Sequence, residues 1–145
     1  MAPRPRRVVL RVALVVLAVN SLMVGLWAEL FPRSFYDDFP GLGRHWIVVD
    51  GPFNEHLIRD VGGLNPALAA VTVGALITLG RTVVLVTGVA WLLYGVPHLV
   101  YHASHAHELG ASDAAAITIS LAGSVIMAIV VLVLAPPGLS HESAS

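Results

Sequence analysis

Four long apolar windows constrain this chain more than any other feature. A bilayer core about 30 Å thick takes roughly 20 residues of helix at about 1.5 Å each. Windows over residues 10–30, 61–79, 82–102 and 114–134 meet or approach that length. Buried helices of a soluble domain rarely give four such windows in a chain of 145 residues. The runs do not alternate and are about twice as long as a barrel strand needs, which excludes a membrane β-barrel. The expected fold is all-α: a four-transmembrane-helix bundle in a single integral membrane domain. A structured extracytoplasmic segment is expected over residues 31–60, and a short tail over 135–145.

Local punctuation agrees with these windows. Pro32 follows the first, Gly80 closes the second, and Pro136-Pro137 stop the fourth. Gly80-Arg81 leaves almost no loop, so the second and third helices should form a tight antiparallel hairpin. Ser112 or Asp113 is placed to cap the fourth helix. Pro66 should kink or restart the second helix, and Pro97 should kink the third, because each removes a backbone hydrogen bond.

Charge sets the expected orientation. Arg4, Arg6, Arg7, Arg11 and Arg81 fall on one side, and Arg33, Arg44 and Arg59 on the other. By the positive-inside rule both chain ends are cytoplasmic, in a multi-pass protein of the plasma (cytoplasmic) membrane. The apolar stretch after the basic cluster has no small-x-small site at its end, so an uncleaved first span is expected rather than a signal peptide. Charged residues make up 12% of the chain against about 25% in a soluble domain, and the net charge is −1. That balance gives no field for nucleic acid. The absence of cysteine excludes a disulfide framework, a thiolate metal site and a Cys nucleophile. The expected partners are the lipid bilayer, and a membrane-protein partner or a second copy of the chain.

Lipid supplies no hydrophobic drive between helices, so close packing requires small side chains at four-residue spacing. Ala116, Ser120, Ser124 and Ala128 form such a stripe in the fourth window, Ala70, Gly74 and Thr78 in the second, and Ser21 and Gly25 in the first. Asn20 is expected to hydrogen-bond across helices. Glu29, near the end of the first span, should pair with Arg59 or Arg33 as a structural ion pair.

Residues 31–60 carry most of the polar chemistry. Ser34 and Asp37 suggest a helix start running through Phe39, and Trp46 to Val49 is extended in character. Asn54 can cap a helix that runs on into the second window. The aromatic residues Phe31, Phe35, Tyr36, Phe39, Trp46 and Phe53 suggest an interfacial belt, with a folded lid over the bundle as an addition.

Histidines concentrate at the end of the third window. His98, His102 and His105 fall within about 60° of arc on one helix face, and Trp91 and Tyr94 continue that stripe. Spacing i, i+4, i+7 could supply ligands to a transition metal or haem. Asp37, Asp38, Glu55 and His56 could complete the set from the outer segment. The plainer readings are imidazoles at a helix end in the aqueous interface, ion pairs with nearby acids, or a pH-responsive group. No phosphate-binding glycine loop, nucleophile elbow or His-Glu-x-x-His pair is present.

The run Asn54-Glu55-His56-Leu57-Ile58-Arg59-Asp60-Val61-Gly62 ahead of an apolar helix resembles small four-helix membrane proteins of actinobacteria, loosely the DoxX-like group. Eight Arg with no Lys suit a GC-rich genome of that kind. The likeness covers about residues 30–105, and it implies topology and provenance rather than an activity. Pro66 is a departure from the likeness, since a proline there argues against a continuous second helix. The function expected from these features is non-enzymatic, a partner-binding or accessory membrane protein. The alternative is a metal- or haem-linked redox protein using His98, His102 and His105. A solute transporter is disfavoured because no ionisable group falls at the middle of a span.

Overall fold

The computed structural model describes residues 4–137. Of the expected tail, only residues 135–137 fall within that range. Among the described residues, four helices are long and apolar enough to cross a membrane: α1 (Arg4–Leu30), α3 (Glu55–Thr78), α4 (Arg81–Ser104) and α5 (Ala111–Val133). At about 1.5 Å per residue they run from about 34 to 40 Å, enough for a bilayer core with a turn to spare. A short helix α2 (Pro32–Asp38) and a two-residue hairpin, β1 (Pro40–Gly41) with β2 (Arg44–His45), lie between α1 and α3.

The helices form a ring in which α1 packs on α3, α3 on α4, α4 on α5, and α5 back on α1. The α1–α3 and α4–α5 seams are the most extensive. Leu10, Leu14, Leu17, Val84, Trp91 and Val131 form the main core, each at most 2% exposed.

Two glycines explain why α1 and α3 approach so closely. A Cβ on Gly25 would run into the Pro66 ring, and one on Gly62 would stand 2.6 Å from the Glu29 backbone nitrogen. Between them, buried Ser21 donates to the Asn65 carbonyl at 2.7 Å, and Asn65 Nδ2 donates back to Val61 O at 2.9 Å. The Asn65 carbonyl beside Pro66 is thereby partnered across to α1 and the Asn65 amide within α3, which runs through the proline as one helix. The cross-helix hydrogen bond expected of Asn20 belongs to its neighbour Ser21.

Other expectations are also corrected. The small-residue stripe Ala70, Gly74, Thr78 is exposed or half-exposed, and α3 buries Gly62, Asn65, Ala69, Thr72 and Ala75 instead. On α5, Ala128 is buried while Ser120 is exposed and Ala116 and Ser124 are half-buried. There the close approach comes from Gly88 of α4, where a Cβ would meet Leu132 at 2.6 Å. The α3–α4 connection is as tight as expected, but the left-handed residue that turns it is Leu79 (φ 48°), not Gly80. Neither Ser112 nor Asp113 caps α5, whose N-cap is Gly110. Ser34 lies inside α2, which starts with Pro32 at its first turn. Val48–Asp50 is a 3-10 turn rather than a strand. Asn54 does cap α3, accepting from the Leu57 backbone nitrogen at 3.2 Å.

The two ends of the ring differ in charge. Arg6 donates to Val133 O at 2.8 Å, and Arg81 to Pro136 O at 2.7 Å, so the start of α1, the α3–α4 turn and the end of α5 share one basic end. At the opposite end Arg59 donates to Glu29 O at 2.5 Å, with its Nη1 3.8 Å from Glu29 Oε1, and to Glu55 Oε1 at 2.9 Å.

A capped cavity as the candidate functional site

Residues 31–54 fold as a cap over the acidic end. Phe35, Trp27 and Phe39 meet with ring centroids 4.7 to 6.0 Å apart, and Trp46 closes on Phe39 at 6.0 Å. Phe35 and Trp46 are 3% and 7% exposed. Tyr36 stacks edge-on against Phe53 and donates to Gly51 O at 2.6 Å. These rings pack on one another and on Ala28 and Ile58, which makes them a lid with its own small core. Phe31, by contrast, projects outward.

The lid is tied to α4 and α5 by polar contacts. The Asp113 carboxylate accepts from Trp46 Nε1 at 3.0 Å and pairs with Arg44. Asp50 accepts from the Tyr101 hydroxyl at 3.3 Å. Within the lid, Arg33 and Asp37 pair at 2.7 Å. The hydrogen bond and charge of Asp37 hold the Arg33 guanidinium above its ordinary pKa.

Beneath the lid lies a cavity of about 240 Å³. Its walls come from all four long helices and from the lid itself, and are mostly apolar: Val24, Phe35, Ile58, Trp91, Ile117 and Leu121 among them. Asn20, Asn65, Ser120 and Ser124 place polar atoms along it, and His98, His102 and Asp50 line its lid side.

An aromatic ladder on α4 forms one wall. Trp91 donates to Thr72 Oγ1 at 2.9 Å, which joins α4 to α3 in the buried core. Tyr94 follows edge-on at 6.2 Å, His98 stacks on Tyr94 at 5.3 Å, and His102 meets His98 edge-on at 4.7 Å. The helical face expected from the sequence is therefore realised over Trp91, Tyr94, His98 and His102.

The third imidazole leaves that face. α4 ends at Ser104, and His105 at its C-cap (φ −103°, ψ 11°) keeps the backbone hydrogen bond to Tyr101 O but turns its ring elsewhere. Its ring stacks on Tyr101 at 4.3 Å, and Nδ1 donates to Tyr101 O at 2.9 Å. The acids proposed as co-ligands are engaged elsewhere. Asp37 holds Arg33, Asp38 accepts from Ser34 Oγ at 3.0 Å, Glu55 holds Arg59, and His56 faces Asp60 at 3.5 Å. Among the described residues no group of three or more His, Asp or Glu is gathered so as to hold a metal ion. Of the set His98, His102, His105, the first two meet on the cavity wall and the third stacks on Tyr101.

Sequence reasoning missed Asp113 as the lid's anchor, because an acid in a first helical turn reads as a cap. It also missed the lining made by Asn65, Leu121 and the lid, which only the packing of distant segments brings together. Comparison with protein-family models, with curated proteins and with solved structures gives no match.

Proposed function

We propose that this chain is a non-enzymatic membrane protein that binds a small amphiphile inside its helix ring. The reading places it in the cytoplasmic membrane with the lid outside, in keeping with five Arg at one end and three at the other. The likeness of residues 54–62 to small four-helix, DoxX-like membrane proteins supports the same topology.

The observation that carries the reading is the capped cavity itself, about 240 Å³ with mostly apolar walls and a few polar groups. That pattern is typical of small-molecule sites. A cavity of about 150 Å³ lined by apolar side chains takes benzene. The volume here suits a somewhat larger body, a ring with a short chain, rather than a whole phospholipid. Imidazole can donate or accept according to tautomer, so the His98–His102 pair suits a hydroxyl or carbonyl head on such a molecule. The metal or haem alternative has two imidazoles from one helix to draw on, which leaves most of a coordination shell unfilled.

The test is solvent extraction of protein purified in mild detergent, with mass spectrometry of what is released. Wild-type protein should carry close to one small amphiphile per chain. Leu121→Trp, which fills the cavity, should carry at least about tenfold less while keeping its helical circular dichroism, since lost volume removes the apolar contacts that hold the ligand. An empty wild type, or equal loading of the filled variant, overturns the proposal.

A further inference from the structure

The basic end of the ring holds a second cavity, separate from the capped one. It measures about 420 Å³ and lies between the start of α1, the α3–α4 turn and the end of α5. Arg6, Arg7 and Arg11 line it, with Thr78 as a neutral polar neighbour and Pro136 at its rim. Among the described residues no carboxylate lines it.

The three arginines are not equivalent. Arg6 is spent partly on structure: its Nη2 donates to Val133 O at 2.8 Å and reaches Ala135 O at 3.5 Å, which fixes the guanidinium in the cleft wall. Its Nε is buried and has no hydrogen-bond partner among the described residues. With Nη2 held by backbone carbonyls, the positive charge of this guanidinium stays fixed in the cleft wall, where it adds to the field an anion would meet. Arg7 and Arg11, both exposed, add two charged forks one turn apart on the same helix.

One side of the cleft is apolar and faces outward. Ile77 lines it and is 75% exposed, beside Leu79 and Leu134. A helix surface of that kind at the end of a membrane span meets acyl chains, whereas the arginines sit at headgroup depth. A ligand that satisfies both parts has a phosphate and a hydrocarbon tail.

We infer that this cleft is a binding site for the phosphate headgroup of an anionic phospholipid, with its acyl chains running along Ile77. The site reads phosphate geometry through paired guanidinium donors and gains from the negative surface potential of an anionic leaflet. It does not depend on the amphiphile proposed for the capped cavity.

Native mass spectrometry tests this on protein reconstituted in mixed phosphatidylglycerol and phosphatidylcholine, then released from the bilayer. Wild-type protein should retain one phosphatidylglycerol in preference to phosphatidylcholine. Arg7→Gln/Arg11→Gln, which leaves the Arg6 and Arg81 clamps in place, should reduce that retention by roughly tenfold or more, since each basic residue near the surface contributes appreciably. Equal retention of the two lipids overturns the assignment. So does undiminished phosphatidylglycerol on a normally helical double variant. Inorganic phosphate alone binding as tightly as the lipid would assign the site to a free anion and likewise overturn it.

Discussion

A methyl group at Gly62 would stand 2.6 Å from the backbone nitrogen of Glu29, whereas one at Gly63 meets nothing within 4 Å. The neighbour at Gly62 is backbone, which cannot swing aside, so Gly62→Ala must push α1 and α3 apart. It should cost about 1–3 kcal/mol, the usual range for overpacking. Gly63→Ala should instead raise stability by about 0.5–1 kcal/mol through helix propensity. Thermal unfolding of both variants in one detergent checks the pair, and the opposite signs are the informative outcome. Both residues are glycines in one apolar window. Their difference was not legible in the sequence, because it depends on which face α1 covers. The same holds for Asn20 and Ser21: adjacent polar residues, of which the packing lets only the second meet Asn65.

At the scale of elements, the four long helices were legible because length and hydrophobicity alone decide them. Their contact faces were not. On α3 the small-residue spacing Ala70, Gly74, Thr78 is as regular as the one that packs, and choosing between them requires the partner helix. The lid was legible in part. Its aromatic content and the Asn54 cap could be read from the sequence, but its attachment could not, since Asp113 lies 67 residues from Trp46. The hydrogen bond from Trp46 to the Asp113 carboxylate is charge-assisted, while the partly exposed ion pair with Arg44 is screened by solvent and contributes less. Asp113→Ala loses both and should markedly speed amide hydrogen exchange over residues 40–50. Arg44→Gln keeps the Trp46 hydrogen bond and should speed it less. Helices α1, α3 and α4 should exchange as before in either variant, because the main core does not involve this latch.

Across the whole molecule, the ring separates two chemistries. Among the described residues, one end gathers the acids, the lid and the histidine pair over a mostly apolar cavity of about 240 Å³, and the other gathers arginines around a cleft of about 420 Å³. The cavity follows from the packing: extensive α1–α3 and α4–α5 seams, joined more sparsely to each other, leave space near the lid. A third histidine on the ladder would have made a metal site the stronger reading. The ring of His105 stacks on Tyr101 instead.

The central claim is that the space under the lid is a ligand site. A single cysteine tests this cleanly, because the chain has none of its own. Ser124→Cys places a thiol on the cavity wall. In protein stripped of bound amphiphile, a small apolar maleimide should label this thiol readily. Adding back the amphiphile extracted from the wild type should slow labelling by roughly tenfold, as expected for a site occupied at about ten times its Kd. Labelling at the same rate with and without that extract, in protein of unchanged helicity, would contradict the account.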